Sequence, residues 1–131
     1  MRIAAAGHIA PVLTRTILAD HQAKVRSALR LLIEQEQAFQ VVAEAHNADS
    51  LLNGILHTNP HIALLDWDLP GLPDMHKLEL MHRIDPDLKV IALCSRPEAR
   101  QASLAEGAHA FISKAEPPDN LLHALYSLRT L

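Results

Sequence analysis

Short apolar runs alternate with longer amphipathic stretches along this chain, and the alternation predicts its elements. Arg15 to Ala19 is a short apolar run that stops at Asp20. From Ala23 to Glu36, Val25, Ala28, Leu29, Leu32 and Ile33 recur at helical spacing, which predicts a helix. Phe39 to Ala43 reads as a second strand, and Ala48 to Leu56 as a helix capped by Asn47 or Asp49 and unable to continue through Pro60. Ile62 to Leu65 is the third strand. Asp74 to Ile84 is a predicted helix, with Met75, Leu78, Leu80 and Met81 as its apolar surface. Val90 to Leu93 is a fourth strand, followed by a helix from Pro97 to Glu106 with Gly107 as its C-terminal stop. Ala110 to Ser113 is the fifth strand, and Pro118 to Leu128 the last helix, with Leu121, Leu122, Leu125 and Leu128 inward.

Five strand–helix units in strict alternation, with strands apolar throughout, predict an α/β fold: a doubly wound five-stranded parallel sheet with helices on both faces. Residues 1–13 fall before the first unit. One Arg and some small apolar residues do not make a signal peptide there, because His8 and Pro11 interrupt any hydrophobic stretch. The expectation is a loosely packed lead segment over 1–13 and one domain over 14–131, with no linker or internal repeat.

Composition narrows the function classes. The chain has 131 residues, 21% charged, with a net charge of −3 and no basic patch, so direct nucleic-acid binding by this domain is not expected. The 3% aromatic content also argues against a base-stacking surface. No run approaches about 18 apolar residues, so no membrane span is expected. Cys94 is the only cysteine, which excludes an internal disulfide and fits a reducing cytoplasm.

In a doubly wound sheet, ligands bind beyond the carboxyl ends of the strands. The residues there are Asp20 and His21 after the first strand, and Asp66, Trp67 and Asp68 after the third. Cys94 and Ser95 follow the fourth, and Lys114 the fifth. Carboxylates, a small polar side chain and an ammonium form an inventory suited to phosphoryl chemistry: an acceptor, acids to hold a divalent cation, and a Lys for phosphoryl oxygens. Read alone, Asp66 could equally be a strand-end cap, Asp68 a solvent-facing turn residue, Lys114 a surface lysine and Cys94 a small buried hydrophobe. Nine histidines raise a separate metal question. His57 and His61 are separated by Pro60, His76 and His82 are six apart, and no HExxH or paired Cys/His pattern occurs, so scattered surface histidines are the expectation.

The stretches ILADHQAKVRSALRLLIEQ, QVVAEA, IALLDWDLPG, VIALCSRPEARQASLAEGAHAFISKAEPP and LLHAL, in that order, resemble the receiver domain of two-component response regulators. The likeness is strongest to receivers attached to LuxR-type DNA-binding output domains, and it covers about residues 14–129. It implies the flavodoxin-like strand order 2-1-3-4-5, Asp66 as phospho-acceptor, Asp20 as the first of two paired acids, and Lys114 as the phosphate-contacting lysine. It also implies Mg²⁺ as cofactor, with Asp20, Asp66 and the backbone carbonyl of Asp68 as metal contacts. Pro70-Gly71 matches the loop after the acceptor, and Phe111 the switch aromatic of the fifth strand. A sensor histidine kinase or a small phosphodonor is the implied partner. The implied output face is the fourth helix, fifth strand and fifth helix, with Arg96, Arg100, Glu106, Glu116, Asp119 and His123 as contacts and a homodimer through it.

Two positions depart from the pattern. His21 stands where the family has its second acid, a direct Mg²⁺ ligand. Mg²⁺ wants oxygen ligands at about 2.0–2.1 Å, and imidazole suits Zn, Cu, Ni or Fe better, so Mg²⁺ affinity is expected to fall. His21 and Lys114 are instead expected to neutralise the two acids without any metal. Cys94 stands where the family has a Thr or Ser that bonds the phosphoryl group, and a thiol is a weaker donor. These departures support an alternative: an atypical pseudo-receiver acting as a phosphorylation-independent protein-interaction module. An enzyme reading, in which Asp66-Trp67-Asp68 is the motif of a haloacid-dehalogenase-like phosphatase, conflicts with its place after the third strand rather than the first.

Overall fold

The computed structural model of the chain describes residues 12–129, so most of the expected lead segment lies outside the described residues. The strands are β1 (Thr14–Ala19), β2 (Phe39–Ala45), β3 (Ile62–Asp66), β4 (Lys89–Cys94) and β5 (Ala110–Ser113). The helices are α1 (Ala23–Glu34), α2 (Ala48–Thr58), α3 (Glu79–Ile84), α4 (Ala99–Ala105) and α5 (Pro118–Leu128). All strand pairs are parallel, in the order β2-β1-β3-β4-β5. This is the expected doubly wound sheet, with the order reversing beside β1 and β3.

Period-two alternation divides the sheet between two cores. Ile62 and Leu64 of β3, with Ile91 and Leu93 of β4, join Ile33 of α1 and Leu121 and Leu125 of α5. Ala63 and Leu65, with Val90, Ala92 and Cys94, join Leu51 and Ile55 of α2, Met81 of α3 and Ala99 of α4. Ile62 through Leu65 have no solvent exposure at all. Strands covered on both faces read as continuous apolar runs, which explains the pattern of β3.

The helix ends show the expected local chemistry at two places. The Asn47 side chain accepts from Ser50 N–H at 2.8 Å, and Ser50 Oγ accepts from Asn47 N–H, a reciprocal cap for α2. Gly107, at φ 109°, follows α4 in the left-handed region, where a side chain would be strained.

Three expectations need correction. The helix predicted over 74–84 is only Glu79–Ile84, because His76 takes φ 58° and the preceding residues form turns around Pro70 and Pro73. Met75 and Leu80 are consequently exposed, at 67% and 42%, and only Leu78 and Met81 pack inward. Helix α4 begins at Ala99, since the chain from Pro97 makes a turn in which Arg100 N–H donates to Pro97 O at 3.1 Å. Helix α1 ends at Glu34 rather than Glu36, and Ala28 on its predicted inner face is exposed.

Candidate phospho-acceptor site

Strand register brings the site together. Ala19 lies beside Leu65, Asp66 beside Leu93, and Cys94 beside Ser113, so the residues that follow these strands emerge at one level. Asp20 is then fixed on every side. Its N–H donates to Ala45 O at 3.0 Å, its Oδ1 accepts from Gln22 N–H at 2.8 Å, and its carbonyl accepts from the Arg26 guanidinium. Asp66 is the last residue of β3. Its Oδ1 accepts from Asp68 N–H at 3.0 Å, which turns the chain immediately after the strand. Lys114 follows β5, and its N–H donates to Cys94 O at 2.9 Å.

Both carboxylates are buried, Asp20 at 0% and Asp66 at 1% exposure. Burying a charge is costly unless it is paired, and an ammonium and an imidazole stand against this pair of acids. The Lys114 ammonium is 2.7 Å from Asp20 Oδ2 and 3.7 Å from Asp66 Oδ1. His21 Nδ1 is 2.7 Å from Asp66 Oδ2 and 3.8 Å from Asp20 Oδ1, while its side chain remains 45% exposed. Asp20 Oδ2 accepts no hydrogen bond of good geometry from the described residues, so Lys114 acts on it as a charge rather than a directed donor.

Cys94 and Asp68 belong to a neighbouring cluster. Asp68 Oδ1 and Oδ2 face the Arg96 guanidinium at 2.6 and 3.4 Å, and the Cys94 thiol reaches Asp68 Oδ2 only at 3.5 Å. The Arg96 hydrogen bond holds the Asp68 carboxyl below the usual carboxylate range, and burial pushes the Cys94 thiol up. The shift favours the thiol, the weaker nucleophile, over the thiolate. Phe111 is buried at 6% exposure, with the Arg100 guanidinium 5.9 Å above its ring. Of the expected site residues, His21 and Lys114 each lie within 4 Å of both Asp20 and Asp66. Cys94 and the Asp68 side chain engage each other and Arg96.

Three contacts were not foreseen: Arg26 on the Asp20 carbonyl, Arg96 on Asp68, and Lys77 over the Trp67 ring at 5.4 Å. Each involves a residue in a turn or loop, where no hydrophobic period signals it.

A family model described as the response regulator receiver domain matches residues 16–126. The chain belongs to the response regulator receiver family. Among curated relatives, the phosphate regulon transcriptional regulatory protein PhoB of Klebsiella pneumoniae is 32% identical over 82% of this chain and 48% of its own length. The Fimbriae Z protein of Escherichia coli K12 is 27% identical over 86% of this chain and 54% of its own length. The receiver thus spans about half the length of the curated relatives it matches. Among solved structures, the isolated receiver domain of RcsB from Salmonella enterica serovar Typhimurium, with phosphomimetic BeF3-, aligns with TM-score 0.80 at 26% identity, covering 88% of each chain. A LuxR-family response regulator from Aurantimonas shares the fold, with TM-score 0.81 at 24% identity over 88% of this chain and 84% of that one.

Receivers are switch domains of two-component signalling that generally hold Mg²⁺ in an acidic pocket, and no helix among the described residues is long and apolar enough to cross a membrane. In this receiver Asp20, His21 and Asp66 offer one ligand atom each, all within 4.8 Å of one another. The two carboxylates suit Mg²⁺. The imidazole does not, because a small hard ion prefers oxygen and the third position of this donor set is nitrogen.

Proposed function

We propose that this receiver accepts one phosphoryl group on Asp66 and passes the change to a protein-interaction face. The observation that carries the reading is a buried Asp66 carboxylate with Lys114 Nζ 3.7 Å from one oxygen and His21 Nδ1 2.7 Å from the other. In the transfer, an Asp66 oxygen attacks phosphorus. The bond from phosphorus to the donor's imidazole nitrogen or acyl oxygen breaks, and the donor leaves with the electron pair. Little covalent chemistry is asked of the protein, so positioning and charge carry the reaction. Lys114 stands where phosphoryl oxygens would gather their negative charge. His21, half-exposed, has room to swing off Asp66 Oδ2 as the donor approaches.

The same residues support a resting state in which His21 and Lys114, rather than Mg²⁺, balance the two acids, with Mg²⁺ binding weakened by the imidazole. Cys94 Sγ is engaged with Asp68 Oδ2 at 3.5 Å, and a thiol is a weaker donor than a hydroxyl, so its coupling of the phosphoryl group to Phe111 is weakened. A sensor histidine kinase or a small phosphodonor is the expected source. The α4–β5–α5 face is the expected output, with Arg96, Arg100, Asp119 and His123 exposed on it and homodimerisation as one readout. Glu106 and Glu116 are less available, since they accept from the backbone N–H groups of Lys77 and Ser113. The competing reading, a phosphorylation-independent interaction module, draws on the His21–Asp66 contact, which satisfies the acceptor without a phosphoryl group.

The test is incubation with acetyl phosphate and Mg²⁺, followed by intact mass. A gain of one phosphoryl group in the wild type, absent in Asp66→Asn, is the expected result. No gain in either the wild type or His21→Asp overturns the acceptor role and leaves the interaction module.

A further inference from the structure

We propose that the cluster of Asp20, His21 and Asp66 is a mixed carboxylate–imidazole site that selects a borderline first-row transition-metal ion, such as Zn²⁺ or Co²⁺, over Mg²⁺. The proposal rests on the receiver reading above only for the location of the pocket; its content comes from this chain's own donor set.

Three observations carry it. The first is distance. Ligand atoms held about 2.0–2.1 Å from one ion stand about 3.0 Å apart in an octahedron and about 3.3–3.4 Å apart in a tetrahedron. His21 Nδ1 lies 2.7 Å from Asp66 Oδ2 and 3.8 Å from Asp20 Oδ1, values that bracket both spacings. All three ligand atoms lie within 4.8 Å of one another, and the exposed imidazole is the one that can adjust to close them on an ion. The second is economy. Coordination through Asp20 Oδ1, Asp66 Oδ2 and His21 Nδ1 leaves the other two oxygens on their present partners, Asp20 Oδ2 on Lys114 and Asp66 Oδ1 on Asp68 N–H. With Asp20 and Asp66 buried, an ion held there replaces a hydrogen bond between His21 and Asp66 by stronger bonds to all three residues.

The third is the contrast with the other histidines. His61 and His109 spend Nδ1 on the backbone N–H groups of Arg15 and Val90, and His57 and His82 bond the carbonyls of Asn53 and Leu88. Among the described residues only His21 brings a ring nitrogen within 4 Å of a carboxylate. Nitrogen in the donor set disfavours Mg²⁺ and favours metals later in the first row. The 45% exposure of His21 leaves part of the coordination sphere open to water or to an incoming oxygen ligand, as in sites that bind substrate.

The experiment compares Zn²⁺ and Mg²⁺ titrations of the metal-stripped receiver by calorimetry, in the wild type and in His21→Asp. Zn²⁺ also exceeds Mg²⁺ at all-carboxylate sites, so the informative quantity is the change in the Zn²⁺/Mg²⁺ affinity ratio. It is expected to fall by about tenfold or more in His21→Asp, a change of about 1.4 kcal/mol or more in selectivity. Co²⁺ line broadening in NMR spectra locates the ion, with the amides of Gln22, Asp68 and Lys114 expected to broaden first. An unchanged ratio, or broadening centred on His57, His76 or His123, overturns the proposal. Far-ultraviolet circular dichroism of His21→Asp, matched to the wild type, keeps misfolding from mimicking a lost site, and His21→Asn supplies a second variant if it does not match. Phosphorylation by acetyl phosphate is scored separately. A chain that gains a phosphoryl group but shows no His21-dependent ratio sinks this proposal alone, and the reverse result sinks only the acceptor role.

Discussion

The two ends of the sheet use histidine in opposite ways. At the carboxyl end, His21 sits against the buried Asp66 carboxylate, in a cluster of two acids and two basic groups. At the amino end, His61 and His109 act as neutral hydrogen-bond acceptors. His61 Nδ1 takes the Arg15 N–H at 2.9 Å, and His109 Nδ1 takes the Val90 N–H at 3.1 Å. Both residues also place their own backbone in the sheet: Lys89 N–H donates to His61 O at 3.0 Å, and His109 N–H donates to Val90 O at 2.8 Å. One end therefore holds charge ready for chemistry. The other closes the first ladder positions of β1 and β4, where a free N–H would be left unpaired. The same side chain serves both ends because an imidazole can be a donor, a cation or an acceptor, and its surroundings choose.

The sharpest way to break the contrast is to remove charge from the carboxyl end. Lys114→Met leaves Asp20 buried without its closest counter-charge, and is expected to destabilise the fold by about 3 kcal/mol, read from the urea midpoint. An unchanged midpoint would mean that His21 alone can balance both acids. At the amino end, His109→Ala strands the Val90 N–H, with an expected loss of about 1–2 kcal/mol by the same measurement. The smaller figure reflects a neutral hydrogen bond at a partly exposed residue rather than a buried charge.

A pH titration of stability sharpens the contrast further. Burial, reinforced by Arg15 and opposed by Asp85, holds His61 below the ordinary histidine value, and burial with Lys89 and His82 does the same for His109. On acidification the unfolded chain therefore takes up protons first at these positions. Their stabilising contribution is complete above about pH 6.5 and is lost as pH falls through the lower folded-state values. Asp68 and Glu116, whose carboxyls are held low, act only below this window. The urea midpoint is expected to fall from pH 7.5 to pH 5.5, and to fall less in a His61→Gln, His109→Gln double variant, whose amide oxygens can accept the same N–H groups. Equal slopes in the two proteins would remove the neutral-acceptor role from the amino end.

Much of this receiver was legible before any coordinates. The apolar periods located all five strands and four helices to within a few residues, because each element's burial pattern is local and repeats at its own spacing. The helix over 74–84 failed for the opposite reason. Met75, Leu78 and Met81 have helical spacing, yet Pro70, Pro73 and the left-handed His76 hold the first half in turns, leaving Met75 exposed. A period describes what a helix would bury, not whether the preceding loop lets it start.

The site divides along the same line. A strand-by-strand reading was enough to bring Asp20, Asp66 and Lys114 into one crevice, since parallel topology sends every strand end to the same side of the sheet. Cys94 and Asp68 were placed at that end too, but the engagement of their side chains with each other and with Arg96 came only from packing. Its place directly after the first strand singled out His21 among the histidines, but nothing in the order of residues marks His61 and His109 as acceptors for backbone N–H groups. The sequence by itself determined the order of elements, the two apolar faces and which residues reach the strand ends, because those follow from local period and chain topology. Only the tertiary structure decided which ring nitrogen meets which oxygen, because a contact at 2.7 Å between residues 45 positions apart depends on register, side-chain direction and the burial of every neighbour.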